Sequence, residues 1–156
     1  PLNRVIESIN FLLSNSLPLG RFVAAAFVSL DESARRGEIW VGGVPDVLMF
    51  DAAGQLERRY SSANLPLGIM RSNDGVRGIE SFTWDHACQL LLTSDGIAEA
   101  SSTDGVQFGE ENLVETIRRK APTATPIEAL QQGLRTHLKG GQAHDDMSML
   151  LIDCPV

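Results

Sequence analysis

Three carboxylates are placed where they could do chemistry together. Asp95 follows the aliphatic run "CQLLLTS" and precedes Gly96, and the pair Asp145 and Asp146 stands directly before a second run, "MSMLLID". If both runs are strands, adjacent and antiparallel, the carboxylate that closes one and the two that open the other converge at a single sheet edge. Hard divalent cations such as Mg2+ and Mn2+ want that arrangement, because they take carboxylate and water oxygens in near-octahedral geometry. Two such ions about 3.5 to 4 Å apart can activate a water for in-line attack on phosphorus. Taken singly, each position reads first as structure: Asp-Gly is a common turn dipeptide, and Asp before a strand is a common cap or turn residue.

The elements that must position these groups follow from periodicity and punctuation. "LNRVIESINFLLSN" puts Leu2, Val5, Ile6, Ile9, Leu12 and Leu13 on one stripe at helical spacing, which predicts an amphipathic helix. "RFVAAAFVSLD", "GEIWVGG", "VLMFD" and "LERRYSS" are short β-rich runs with hairpin punctuation, read here as an antiparallel meander. After "NLPLGIM" and the polar loop "RSNDGVRG" come two further strands, "IESFTW" and "CQLLLTS", the latter apolar enough to be buried on both faces. "EENLVETIRRK" predicts a helix with Glu110 and Glu111 at its positive end and Arg118, Arg119 and Lys120 at the other. In "TPIE", Thr125 caps a second helix, Pro126 takes its first position and Glu128 completes a capping box, with the helix running to about Leu138. Strands followed by a late helical pair and one returning strand predict an α+β fold, a layered β-sandwich flanked by helices.

Composition bounds the rest. A chain of 156 residues with 43% apolar content is one domain's worth and can bury a real core, so residues 1–156 are read as a single domain. With 20 acidic residues against 13 basic ones and a formal charge of -7, the chain has no electrostatic footprint for nucleic acid or an anionic membrane. Its apolar stretches fall short of the roughly 20 residues of a membrane helix, and no leader pattern opens it. The two cysteines, Cys88 and Cys154, belong to no close-spaced thiol motif and are expected to be free thiols, hence a cytoplasmic protein.

The order of the words narrows this. "TSDGIAEA", then "DGVQFG", a helix pair and "DDMSMLLI" resemble the C-terminal half of the SpoIIE-like branch of the metal-dependent (type 2C, PPM) serine/threonine phosphatases. "RFVAAAFVSLD" and "NLPLGIM" extend the resemblance upstream, so it covers nearly the whole chain. The resemblance implies an α-β-β-α sandwich, with Asp95 and Asp145 as catalytic metal ligands and Asp146 as a ligand or a neighbouring acceptor. It implies Mn2+ or Mg2+, two ions in a complete domain, and hydrolysis of phosphoserine or phosphothreonine on a phosphoprotein, of the anti-anti-sigma type. It also implies the output end of a bacterial response regulator, with a receiver domain upstream.

Two departures from the family pattern favour a second reading. Where members carry Ala-Gly-His-x-Pro, this chain has "GGVPDV", so Val44 replaces the histidine. The family's first metal motif, Asp-Gly-x-Gly ahead of the first helix, has no counterpart: the Asp-Gly pairs here are Asp74-Gly75, Asp95-Gly96 and Asp104-Gly105. The expectation is the C-terminal portion of a phosphatase domain lacking its N-terminal strands. Asp95, Asp145 and Asp146 alone should hold one divalent ion weakly, because like-charged carboxylates repel without a second cation. The alternative is a catalytically inactive pseudophosphatase, an adaptor that binds a sigma factor. Among other residues, His144 beside the acidic pair reads as a loop histidine or a phosphate donor, and His86 and His137 as surface groups. Trp40 and Trp84 read as packing residues, and Glu99 as a cap or as an orienter of the loop after Asp95.

Overall fold

The computed structural model describes residues 1–69, 76–140 and 145–156; His144 and the pair Asp74-Gly75 lie outside them. The chain forms two compact units, one of residues 1–47, 60–85 and 155–156 and one of residues 48–59 and 86–154. No helix among the described residues is long and apolar enough to cross a membrane.

The first unit is built from α1 (Leu2–Ser16) and a three-stranded sheet of β1 (Ala25–Asp31), β2 (Arg36–Gly42) and β5 (Glu80–Thr83), in the order β1-β2-β5. Both pairings are antiparallel. The turn between β1 and β2 is organised by Asp31, whose carboxylate accepts from the Ser33 hydroxyl at 2.7 Å, the Ala34 N–H at 3.1 Å and the Arg36 guanidinium at 3.2 Å. The core holds Leu2, Ile6, Trp40 and Leu67, with Ile9, Leu13 and Phe27 against it. The predicted α1 stripe is thus real but narrower than read: Val5 and Leu12 lie on its flank, 49% and 62% exposed. In their place the helix buries Asn10, whose side-chain oxygen accepts from the Gly68 N–H at 2.9 Å and fixes the loop beside it. Trp40 and Trp84 are buried, as packing residues should be, and their indole N–H groups reach the carbonyls of Arg77 and Pro155.

The second unit carries a four-stranded sheet, order β4-β3-β6-β7, of β3 (Val47–Asp51), β4 (Leu56–Tyr60), β6 (Cys88–Thr93) and β7 (Met149–Cys154). Its helices are α2 (Asp95–Glu99), α3 (Gly109–Arg118) and α4 (Pro126–Leu138). Register aligns Leu48, Leu91 and Leu151 in one row across three strands, and this row packs with Phe50, Phe108, Ile117, Leu130 and Leu134 in a continuous core. The end of α4 matches its sequence signature: Thr125 accepts from the Glu128 N–H at 3.2 Å, and Glu128 reaches back to the Thr125 N–H at 2.8 Å. The Thr125 backbone N–H, and then its hydroxyl, hold the Glu128 carboxyl below its ordinary range. A depressed folded-state value means the cap supports the fold above the usual Glu range and is lost as pH falls through the folded value. Thr125→Ala should cost about 1 kcal/mol at neutral pH, as losing an N-cap does, and less in acid. Urea denaturation of both proteins at two pH values checks this.

The predicted four-strand meander is overturned by the topology. The chain leaves the first sheet after β2 and begins the second with β3. The break falls at "GGVPD", where Gly43 has φ of +76° and Pro45 has no N–H to donate. Instead of closing a hairpin, this segment is tied to residues downstream: the Gly43 N–H donates to the Ser62 hydroxyl at 3.1 Å, and Asp46 accepts from the Ser62 N–H at 2.8 Å. Val44 therefore lies half-buried in a connector between sheets.

Cys88 and Cys154 are both free thiols, as expected, but they are directly opposed in the β6–β7 ladder and 2% and 1% exposed. Burial first, and then the neighbouring Cys154, push the Cys88 thiol up to about 12. The thiolate is the reactive form, so native protein at pH 8 should resist alkylation by iodoacetamide at both positions and react fully after unfolding. Mass spectrometry of timed samples reads the difference.

Candidate active site

The ladder between β6 and β7 runs from Cys88 opposite Cys154 to Thr93 opposite Met149. It delivers the end of one strand and the start of the other to the same sheet edge, so the two runs are the antiparallel neighbours on which the sequence reading depends. Pairing continues one step beyond the ladder, where the Ser94 N–H donates to the Ser148 carbonyl at 3.0 Å. Asp95 follows as the first residue of α2, a short helix where the Asp-Gly pair by itself predicts a turn. Asp145 and Asp146 lie on the approach to β7, four and three residues ahead of its first residue, Met149.

Two residues that were not singled out from the sequence hold these segments together. The Ser94 hydroxyl donates to the Asp146 carbonyl at 2.9 Å and accepts from the Ser148 N–H at 2.9 Å. Gly96 is buried against the facing backbone: a Cβ there would stand 2.5 Å from the Asp146 carbonyl oxygen. Each could be seen in "TSDG" only as part of a turn, because its partners lie some fifty positions away.

The side chains of Asp95, Asp145 and Asp146 are exposed at this edge. One oxygen of Asp95 accepts from the Gly96 N–H at 3.0 Å, and one of Asp145 accepts from the Asp146 N–H at 2.7 Å, so each carboxylate has its orientation fixed by the backbone beside it. An all-oxygen, carboxylate-rich, solvated set suits one hydrated hard cation, which binds through one or two carboxylates and keeps its waters. It does not suit a pair of ions. Among the described residues no group of three or more His, Cys, Asp or Glu side chains is disposed to hold a metal ion.

The remaining candidates are accounted for elsewhere. His86 pairs with Glu57 at 2.7 Å. His137, read as a surface group, is half-buried: its Nε2 lies 2.8 Å from the Val106 carbonyl and its ring meets Phe108 edge-on. Glu99 ends α2, and its carbonyl, not its carboxylate, takes the Ser101 hydroxyl at 3.0 Å. Asp104 lies 3.3 Å from Lys139 in an exposed ion pair.

Comparison with known proteins gives this geometry a context. The family profile described as Stage II sporulation protein E (SpoIIE) matches residues 1–155. The PP2C phosphatase domain of the cell fate determinant SpoIIE from Bacillus subtilis, solved with a fragment of its regulatory domain, aligns with a TM-score of 0.77 at 20% identity over 97% of this chain and 43% of that one. The SiaA-PP2C domain of Pseudomonas aeruginosa aligns at 0.74 and 17%, over 96% of this chain and 59% of that one. A Bacillus subtilis SpoIIE phosphatase domain presoaked with Mn aligns at 0.67 and 18%, over 97% and 66%. The chain thus spans between about two fifths and two thirds of the solved chains that it matches. At these identities the likeness is one of fold: the mixed helices and antiparallel sheets match a PP2C-like fold. No curated protein matches the chain.

Proposed function

The chain belongs to the SpoIIE family, and from that membership we propose that residues 1–156 are part of a metal-dependent phosphatase domain acting on phosphoserine or phosphothreonine in a bacterial signalling protein. The observation that supports this reading is that the backbone segments carrying Asp95 and the pair Asp145 and Asp146 lie side by side at one end of the β6–β7 pair, the Ser94 hydroxyl bonding to the Asp146 carbonyl and the Ser148 N–H. Asp95 and Asp145 would hold Mn2+ or Mg2+, with Asp146 beside them as a further oxygen donor. A bound divalent ion supplies Lewis-acid polarisation of a phosphoryl oxygen and lowers the pKa of water. The chain's own part is to present carboxylates oriented by the neighbouring backbone N–H groups, Gly96 for Asp95 and Asp146 for Asp145. A second ion in the complete domain needs donors beyond this set. The family resemblance further suggests a phosphorylated anti-anti-sigma protein as substrate and a receiver domain as input.

A second reading is favoured by specific observations. Val44 replaces the motif histidine, and among the described residues no group of three or more His, Cys, Asp or Glu side chains is disposed to hold a metal ion. On that reading the domain is an inactive adaptor that binds a sigma factor. The deciding experiment is hydrolysis of an aryl phosphate and of phosphoserine peptides by the full-length protein, with and without Mn2+. Metal-dependent turnover supports the phosphatase. Folded protein without turnover, but with metal-independent capture of a sigma factor, supports the adaptor.

A further inference from the structure

We propose that Ser94 is a positioning residue: its hydroxyl acts at once as acceptor for the Ser148 N–H and donor to the Asp146 carbonyl, and so sets the spacing between Asp95 and the pair Asp145 and Asp146. The catalytic consequence rests on the phosphatase reading; the clasp itself rests on geometry alone. One strand position earlier, Thr93 is still in the ladder opposite Met149. At Ser94 the strand must become α2, and its carbonyl turns away to accept from the Ile97 N–H at 3.2 Å. The Ser148 N–H would then lose its cross-strand acceptor. The Ser94 hydroxyl takes the place of that carbonyl at 2.9 Å, and its one proton goes to the Asp146 carbonyl at 2.9 Å.

A hydroxyl can do both because it carries one donor and two lone pairs. A serine at a helix N-cap ordinarily spends its oxygen on the N–H groups of the first turn. Ser94 is the N-cap of α2 and makes no such bond, so capping does not explain the residue. Its bonds cross instead to residues 52 and 54 positions away, on the segment that carries the other two carboxylates. Removing the hydroxyl leaves a donor and an acceptor unmatched on that segment, directly beside Asp145 and Asp146. A threonine keeps an oxygen at the same γ position.

The test compares Ser94→Ala and Ser94→Thr with wild type in the full-length protein. It reads hydrogen exchange at the Ser148 amide by NMR, Mn2+ affinity from the EPR signal of free Mn2+, and melting temperature. In Ser94→Ala, Ser148 exchange should speed up by about tenfold, the scale of one neutral hydrogen bond. Mn2+ affinity should fall by about 10- to 100-fold, as when an outer-shell partner of a metal site is lost. Ser94→Thr should restore both. Unchanged exchange and affinity in Ser94→Ala overturn the proposal, as does a threonine variant that behaves like alanine. If the alanine variant does not fold, the threonine variant decides alone, since it must match wild type in both readouts. A wild type that hydrolyses no phosphoester yet loses Mn2+ affinity in Ser94→Ala supports the clasp while sinking the phosphatase reading. If wild type binds no Mn2+, the exchange rates decide.

Discussion

Asp145→Asn should lower the Mn2+-dependent kcat/KM of the full-length protein toward a phosphoserine peptide by at least about 100-fold, the upper end of what removing even an outer-shell partner of a metal costs. The substitution is nearly isosteric. Asn keeps an oxygen that can accept from the Asp146 N–H, now made at 2.7 Å, so the local turn and the melting temperature should hold. What changes is the charge presented to the cation. Asp104→Asn is the matched control: that carboxylate is exposed and pairs with Lys139. An exposed pair of this kind contributes about 0–1 kcal/mol, and the control should leave turnover within about twofold of wild type. If Asp145→Asn and Asp104→Asn behave alike, Asp145 is not a ligand. If both wild type and variant are inactive, the adaptor reading gains and sigma-factor binding becomes the measurement.

What could be read from the sequence divides along locality. The capping box at Thr125 and Glu128, the bounds of α4 and the acidic first turn of α3 involve residues a few positions apart, and all three stand where their signatures put them. The β3 strand likewise matches "VLMFD" residue for residue. The errors are of another kind. A run of four strands with hairpin punctuation says nothing about whether the third joins the first sheet or starts a second, because that is decided by pairings such as β2 with β5 and β3 with β6. The buried stripe of α1 is narrower than its hydrophobic spacing predicts, because spacing marks a face and not its edges, and the buried Asn10 shows that one hydrogen bond can place a polar residue inside it. The active-site reading was conditional on two runs being antiparallel neighbours. The register supplies that condition, and with it the roles of Ser94 and Gly96, whose chemistry exists only once residues fifty positions apart are side by side.

Gly96→Ala tests that close approach from the other side. Two effects oppose each other. Gly96 lies within α2, where alanine is favoured over glycine by up to about 1 kcal/mol on helix propensity. Against this, its Cβ would fall 2.5 Å from the Asp146 carbonyl oxygen and 3.1 Å from the carbonyl carbon. These are backbone atoms held by the Ser94 hydroxyl and cannot swing aside as a side chain would. Overpacking of this kind costs about 1–3 kcal/mol, so the steric effect should win and the variant should be less stable in urea. Relief would come by pushing the 145–146 segment outward, so Mn2+ affinity should fall with stability. Gly133→Ala provides the contrast within the same unit: it is also helical, but its new Cβ would meet side-chain and not backbone atoms, the Thr116 methyl at 3.0 Å and hydroxyl at 3.3 Å, which need give by only a few tenths of an ångström. There the propensity gain and a small repacking cost should nearly cancel, leaving a net change within about 1 kcal/mol of wild type. A Gly96→Ala protein that is as stable as Gly133→Ala, with Mn2+ affinity intact, would mean that the two acidic segments are not in contact at this point, and the geometry assigned to the site would fall with it.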